Sequence, residues 1–284
     1  EVMRQLVFKQ QISSEISVIS KKHQLFTKND NFFKHKEIWF IQNLIVAKII
    51  FLNEILEFNL TDVINQNASL IFDLDGTLID SAKDIQWVAN KALSEIGATP
   101  ISYEEAVSFI GEGAPLFVKK MIVARSIESS KHDFLLEQFL KFYEDAVQFT
   151  EPYENVVPIL EILNSRHELG LCTNKPLKPA LKILKHLKLD HFFKCITGGD
   201  SSFGRKPDPS PLLNTFASVG DGLCIYVGDS EVDAETAKRA DVPFLLFTEG
   251  YRKTPIEKIP HTYSFSSFNK LPELVEKILE NTNR

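Results

Sequence analysis

From residue 152 onward, short apolar runs alternate with segments of helical character. We interpret residues 169–172, 194–197, 223–227 and 243–247 as strands, and residues 156–166, 177–187, 210–218, 232–240 and 271–279 as helices. Such alternation predicts an α/β fold in which helices cover both faces of a parallel sheet. Ligands of such sheets collect at the carboxyl ends of the strands, so the polar residues at those ends are the first candidates for a site.

A further strand is predicted at residues 69–72, where an apolar run is followed by a turn at Gly76. The stretch 81–146 then looks helical throughout, apart from a glycine-containing break. We therefore predict a core made of residues 67–82 and 150–284, with an α-helical cap domain at residues 83–149 inserted into it. Residues 1–66 contain no glycine or proline, and we interpret them as a helical N-terminal extension of unknown role, with a helix at residues 40–58.

Two carboxylates, Asp73 and Asp75, leave the end of the first predicted strand. Their spacing lets both face one site, where one can act as a nucleophile and the other can transfer protons. Two close carboxylates repel each other, so the pair favours a bound cation. A solvated acidic turn is the ordinary alternative for an isolated Asp-x-Asp pair, and the later polar clusters argue against it.

Two more clusters carry groups that suit a phosphate ligand. Thr173 and Asn174 directly follow a predicted strand, where a hydroxyl group and free backbone amides can bind phosphate oxygens. Helix capping is the ordinary alternative for these two residues. Lys206 lies in a Gly-Arg-Lys-Pro-Asp-Pro segment that restricts its backbone, and its charge can offset that of an aspartate and a phosphate; an exposed loop lysine is equally compatible with this segment alone.

The fourth cluster is Asp229 with Asp233, which follow the strongly apolar run at residues 223–227. Positions i and i+4 share one face once a helix begins. Carboxylate oxygens suit Mg²⁺, which is usually bound through one or two protein carboxylates and several waters. Helix capping by Asp229 is the alternative, but it does not account for both aspartates.

In this order, the four clusters resemble those of the haloacid dehalogenase superfamily, over roughly residue 68 to the C-terminus. The resemblance implies a Rossmann-like core and a Mg²⁺-dependent phosphatase. Asp73 would be the nucleophile that forms an aspartyl-phosphate, Asp75 the general acid and base, and Lys206 the stabiliser of charge. Thr173 would bind the phosphoryl group, with Asn174 close by. The metal would be bound by Asp73, the backbone carbonyl of Asp75 and Asp229. Asp233 would be a further ligand or would support the other ligands from behind.

The helical block between the first two clusters resembles the cap of the phosphoglycolate phosphatase-like members. Within it, Gly111, Glu112 and Gly113 resemble the loop that such caps lower onto the substrate, although a plain helix–helix turn is the alternative. The resemblance implies hydrolysis of 2-phosphoglycolate. Other phosphatases acting on sugar phosphates, nucleotides or pyrophosphate, a phosphomutase, and a binding protein without activity remain open alternatives.

Composition narrows the set of partners. The formal net charge of −6 gives no attraction to a nucleic-acid backbone, so we expect no nucleic acid as a partner. The resemblance implies a small phosphorylated metabolite as the ligand. The most apolar segment, residues 38–60, is interrupted by polar and charged residues, so we expect no membrane span there. Three cysteines without close pairing suggest reduced core residues in a cytoplasmic protein, and a homo-oligomer remains open.

Overall fold

The computed structural model describes residues 67–282, which lie within one compact unit of the chain. The predicted extension at residues 1–66, with its helix at residues 40–58, lies outside the described residues. In chain order, the elements are β1 Ala68–Phe72, β2 Ile79–Asp80, α1 Ala82–Ser94, α2 Tyr103–Phe109, α3 Ala114–Ala124, α4 His132–Tyr143, β3 Glu151–Pro152, α5 Val156–Asn164, β4 Glu168–Cys172, α6 Leu177–His186, β5 Cys195–Thr197, α7 Ser210–Val219, β6 Leu223–Gly228, α8 Glu231–Ala240, β7 Phe244–Phe247, β8 Tyr263–Phe265 and α9 Leu271–Thr282.

The central sheet has six strands in the order β5-β4-β1-β6-β7-β8, and every pairing in it is parallel. β1 lies between β4 and β6, so its residues are covered on both edges and both faces, and all five are buried. This accounts for the apolar character of the strand, because a parallel strand covered on both faces has no polar side to expose. The predicted α/β fold with a Rossmann-like parallel sheet is confirmed.

Two hydrophobic clusters cover the two faces of the sheet. Side chains of successive strand residues point to opposite faces, so Leu70 and Phe72 belong to one cluster while Ile71 belongs to the other. The three cysteines are free, with Cys172 and Cys224 buried in or beside these clusters. None of the helices that the structure places within residues 67–282 is long and apolar enough to cross a membrane.

Helices α1 to α4 form a block with a hydrophobic cluster of its own, in which Val88, Met121 and Phe139 are buried. The chain enters this block after β2 and leaves it before β3, and these two short strands pair with each other in an antiparallel arrangement. In addition, the buried carboxylate of Asp84, in α1, accepts hydrogen bonds from the backbone N–H groups of residues 148 and 149 and from the hydroxyl of Thr150. The entry and the exit of the block are therefore fixed side by side.

A pH-dependent contribution to stability is expected from His167. The imidazole is buried, and its Nδ1 accepts a hydrogen bond from the backbone N–H of Ala68 at the start of β1. Burial lowers the pKa of His167 below its ordinary value, so the folded protein favours the neutral ring. The unfolded chain binds the proton more readily, so this contribution is present above the unfolded-state pKa of about 6.5 and is lost as the pH falls below it.

We expect His167→Asn, which keeps an acceptor near the position of Nδ1, to remove this dependence. Urea unfolding between pH 8 and pH 5 measures the effect as the difference in free energy of unfolding between the two proteins. That difference should shift in favour of the variant as the pH falls. Parallel stability curves for the two proteins over this range would show that the imidazole does not titrate on unfolding.

Candidate active site

The sheet order brings the four sequence clusters together. Asp73, Thr173 and Asp229 each follow one of three adjacent strands, β1, β4 and β6. The backbone N–H of Asp73 donates to the carbonyl of Val227 at 2.9 Å, which continues the β1–β6 ladder to the residue that begins the site. Side chains that are far apart along the chain therefore meet at one edge of the sheet.

Three carboxylates form the acidic centre of the site. Asp73, Asp229 and Asp233 each present one oxygen, and these oxygens lie within 4.8 Å of one another; all three residues are buried. Burial raises the pKa of Asp229 well above its usual range, and the charges of Asp233 and Asp73 raise it further. Such a cluster is costly without a counter-charge, and hard oxygen donors at this spacing fit a divalent cation of the Mg²⁺ type.

Asp229 is held on both sides of its carboxylate. Oδ1 accepts a hydrogen bond from Thr77 Oγ1 at 2.9 Å, and Oδ2 accepts one from the backbone N–H of Tyr251 at 2.6 Å. Two glycines let the backbone approach it: a Cβ placed on Gly76 would lie 2.5 Å from Asp229 Oδ2, and one on Gly250 would lie 2.4 Å from the same atom. The orientation of this carboxylate therefore depends on close packing that only glycine permits.

Asp233 is saturated by protein donors. Oδ1 accepts from Lys206 Nζ at 2.6 Å and from the hydroxyl of Tyr226 at 2.8 Å. Oδ2 accepts from Ser230 Oγ and from the backbone N–H groups of Asp229 and Ser230. The sequence left two roles open for Asp233, a metal ligand or a support for the ligands. These contacts favour the supporting role, because both carboxylate oxygens already accept hydrogen bonds that hold the ammonium of Lys206 and the backbone at Asp229.

Lys206 joins this support to the candidate nucleophile. Its Nζ lies 2.8 Å from Asp73 Oδ1, and its side chain is 2% exposed. Burial opposes the charge on Lys206, but the carboxylates of Asp233 and Asp73 outweigh it, so the pKa of Lys206 is raised. The sequence left an exposed loop lysine as an equal alternative for this residue, and the structure places it in the interior instead.

Asp73 itself keeps an oxygen available for chemistry. Lys206 Nζ lies within ion-pair distance of Oδ1, and apart from that contact no donor to this buried oxygen is found within residues 67–282. Burial raises the pKa of Asp73 to about 7, against the lowering effect of Lys206. A bound divalent cation would lower the pKa of Asp73 again and keep its carboxylate ionised.

Asp75 lies on the other side of Asp73, between the sheet and the helical block. Its Oδ1 accepts from Ser81 Oγ at 2.6 Å and from Lys175 Nζ at 3.1 Å. The same ammonium donates to the hydroxyl of Tyr143, the last residue of α4, at 2.6 Å. The carboxylate of Asp75 is therefore fixed by Ser81, just before α1, and by Lys175, which is itself held by the last residue of α4.

Thr173 and Asn174 differ in what they offer a ligand. Thr173 is buried and lines the cavity beside Asp73. The amide of Asn174 is largely used within the protein: Nδ2 donates to the carbonyls of Gly111 and Lys206 at 2.9 and 3.0 Å, and Oδ1 accepts from the N–H of Lys206 at 2.9 Å. Asn174 thus connects Gly111 to Lys206, and a direct role in binding substrate remains a prediction.

The glycine loop lies over the site. Gly111 and Gly113 line the cavity with Asp73, whereas Glu112 pairs with Lys120 and is not among the residues that line it. The cavity has a volume of about 40 Å³. The two glycines would therefore lie beside a ligand in this cavity, and a role in binding substrate remains a prediction for Gly111, Glu112 and Gly113.

Four contributors were not identified from the sequence: Lys175, Tyr143, Tyr226 and Tyr251. Lys175 follows Asn174 within a cluster that was already suspected, but a lysine beside a helix start is ordinarily exposed. Tyr226 lies in an apolar run that indicates only burial, whereas Tyr143 and Tyr251 have charged neighbours and belong to no pattern that indicates a role. Their roles depend on hydroxyl contacts across the fold, which no local pattern encodes.

Gly250→Ala is expected to weaken metal binding. The added methyl group would lie 2.3 Å from the carbonyl of Gly76 and 2.4 Å from Asp229 Oδ2, so the carboxylate must turn. Changes behind a metal ligand typically cost about 10- to 100-fold in affinity, and we expect a loss of that size in calorimetric titration with Mg²⁺.

Gly97→Ala is the matched control for Gly250→Ala. Nothing lies within 4 Å of a Cβ at Gly97, although its φ of +67° adds backbone strain. This variant should lose some stability and keep the affinity for Mg²⁺. Equal affinities in both variants and the wild type would show that the packing around Asp229 does not set metal binding.

Several known proteins are similar to this chain in sequence and in fold. A family model described as haloacid dehalogenase-like hydrolase matches residues 70–247. The phosphoglycolate phosphatase of Cereibacter sphaeroides is 42% identical over 214 residues, which cover 74% of this chain and 98% of that protein. The phosphoglycolate phosphatase of Rhodobacter capsulatus is 39% identical over 211 residues, with coverage of 73% and 96%. The crystal structure of a predicted phosphoglycolate phosphatase from Haemophilus somnus matches with a TM-score of 0.68 and 27% identity, and covers 74% of this chain and 98% of that one.

Fold, site and relatives define the class of this protein as a hydrolase with an α/β core. The chain belongs to the haloacid dehalogenase-like hydrolase family. Within that family it is a phosphatase, so the resemblance and the enzyme class predicted from the sequence are both confirmed.

Proposed function

We propose that this chain is a Mg²⁺-dependent phosphoglycolate phosphatase, which converts 2-phosphoglycolate to glycolate and phosphate through an aspartyl-phosphate on Asp73. The observation that carries the proposal is the meeting of Asp73, Asp229 and Asp233 at one buried point, with Lys206 Nζ 2.8 Å from Asp73. The relatives from C. sphaeroides and R. capsulatus, both phosphoglycolate phosphatases, support the choice of substrate.

Each residue then has a defined task. An oxygen of Asp73 attacks phosphorus, the bond from phosphorus to the ester oxygen breaks, and protonated Asp75 gives its proton to that oxygen. Asp75, now ionised, takes a proton from a water molecule whose oxygen attacks the phosphorus of the aspartyl-phosphate. Phosphate leaves, and Asp73 and protonated Asp75 are regenerated. Lys206 and Thr173 hold the phosphoryl oxygens during both transfers.

Magnesium would be held by Asp73, Asp229 and the backbone carbonyl of Asp75, with Asp233 supporting them. When bound, the ion supplies positive charge to the phosphoryl oxygens, which is the main requirement of phosphoryl transfer. The four carboxylates of the site face two ammonium groups, Lys175 and Lys206, so the excess negative charge also favours a divalent cation.

The helical block would act as a cap. Residues 83–149 as the cap and residues 67–82 with 150–284 as the core remain our proposal for the domain boundaries, supported by the separate hydrophobic cluster of α1 to α4. Closure of such a cap excludes water while the substrate binds. A cytoplasmic location and self-association remain predictions.

A substrate panel tests the proposed function. Purified protein would be assayed for phosphate release with and without Mg²⁺ on 2-phosphoglycolate, glucose 6-phosphate, a nucleoside monophosphate and pyrophosphate. We expect release to require the metal and kcat/KM to be highest for 2-phosphoglycolate. A higher kcat/KM on any other member would reject the substrate, and release that is unchanged by chelation would reject the metal.

A further inference from the structure

The cavity beside Asp73 has a wall of unusual composition. On the side of the helical block it is lined by apolar side chains, among them Ile85, Ile110, Phe117 and Phe139. Of the residues in the described part of the chain that line it, Lys175 is the one cation. A small cavity with apolar walls and a single buried ammonium fits a short ligand with one further negative charge.

Lys175 is held firmly at this place. Its side chain is 3% exposed, and its ammonium contacts Asp75 Oδ1 at 3.1 Å, Asp75 Oδ2 at 3.4 Å and the hydroxyl of Tyr143 at 2.6 Å. The ammonium also lies 4.1 Å from the centre of the Tyr143 ring. A buried lysine fixed by a carboxylate and an aromatic ring presents its charge at a defined position, unlike a lysine on the surface.

The position of Asp75 relates this charge to the substrate. In the proposed reaction Asp75 protonates the ester oxygen, so the first carbons of the leaving group lie beside Asp75. The ammonium of Lys175 is 3.1 Å from that carboxylate, which places it within reach of a group attached one carbon away from the ester oxygen. Tyr143 adds a second donor, because its hydroxyl accepts from Lys175 and its own proton has no acceptor within residues 67–282.

Other cations near the site are differently engaged. Lys206 contacts Asp73 and Asp233 on the phosphate side. Lys253 lines a separate, smaller cavity beside Asp73 and Asp75, and its Nζ donates to the carbonyl of Ile110 at 2.9 Å. Arg205 lines a neighbouring cavity beyond Asn174. Lys175 is therefore the cation that the cavity offers to the leaving group.

We propose that Lys175 is a specificity-determining residue, whose ammonium binds a carboxylate of the leaving group and so selects phosphate esters of short 2-hydroxy acids. This inference rests on the proposed function and adds the residue that recognises the acid. A hydrogen bond between an ammonium and a carboxylate in a buried site is strong because both partners are charged, and a neutral amide of the same shape loses the attraction between the charges. The apolar wall limits the length of the leaving group, which disfavours sugars and nucleotides.

The test compares two substrates of the same size within each protein: 2-phosphoglycolate and its neutral amide, 2-phosphoglycolamide. The measured quantity is the ratio of kcat/KM for the acid to kcat/KM for the amide. We expect Lys175→Met to lower this ratio by about 10- to 100-fold, the range of a hydrogen bond to a charged group. Any general loss from disturbing Asp75 affects both substrates and cancels in the ratio.

Two variants serve as matched controls. Lys182→Met removes an exposed lysine from the following helix, and Arg205→Met removes the cation of the neighbouring cavity. Both should keep the wild-type ratio. A ratio that stays at the wild-type value in Lys175→Met, or that falls only in Arg205→Met, would overturn the assignment of Lys175.

The outcome also separates this inference from the proposed function. If the wild type shows no preference for 2-phosphoglycolate over its amide, recognition of the acid is absent, and both the substrate and the role of Lys175 are rejected. If the wild type prefers the acid and Lys175→Met keeps that preference, the proposed function stands and the role of Lys175 alone is rejected.

Discussion

Asp73→Asn is expected to abolish phosphate release from 2-phosphoglycolate, with a loss of about 10⁴-fold or more in kcat, because removing a nucleophile removes the covalent route. The change replaces an oxygen by an amide nitrogen and alters the shape of the side chain very little. Burial raises the pKa of Asp73 to about 7, so the folded protein has little to lose when this group is made neutral. We therefore expect the variant to be folded and at least as stable as the wild type without metal, as measured by thermal unfolding.

Trapping of the phosphoenzyme separates this prediction from a loss of binding. Rapid acid quenching with ³²P-labelled substrate should leave label on the wild-type protein and none on Asp73→Asn. Asp133→Asn, at a side chain exposed on the helical block, is the matched control and should behave as the wild type. Near-normal turnover in Asp73→Asn would show that another group attacks phosphorus.

The elements that position the site could be predicted because burial gives them a clear pattern. β1 and β6 are apolar runs that end at Asp73 and Asp229, and a parallel arrangement places both ends at one edge of the sheet. The predicted helices and strands differ from the observed ones mostly by one or two residues at their ends, where the last turn of a helix frays. The larger exception is the stretch 81–146, which is predicted to be helical almost throughout, whereas its last helix, α4, ends at Tyr143.

Short elements and cross-fold contacts could not be predicted in the same way. β2 and β3 have two residues each, so no periodicity exists to read, and β8 is an edge strand of three residues. Asn174 looked like a ligand for phosphate because of its position after β4, yet its amide joins Gly111 to Lys206. The partners of Lys175 lie 32 and 100 positions away, and only the folded chain shows them.

The second large effect is expected from Lys206→Met. This change leaves Asp233 without its buried cation, and Asp73 loses its ion pair at the same time. Removing one partner of a buried ion pair typically costs about 3–5 kcal/mol, and we expect a loss near the lower end because Asp233 keeps hydrogen bonds from Ser230 and Tyr226. Urea unfolding in the presence of a chelator measures this loss, since bound metal would compensate part of it.

A second substitution in the same chain separates stability from catalysis. In Lys206→Met/Asp233→Asn the unpaired charge of Asp233 is gone, so part of the lost free energy of unfolding should return. Activity should not return, because the ammonium that offsets the charge of Asp73 and the phosphoryl group is still absent. Recovery of turnover in the double variant would show that Lys206 serves only to neutralise Asp233, whereas recovery of stability without turnover assigns it both a structural and a catalytic task.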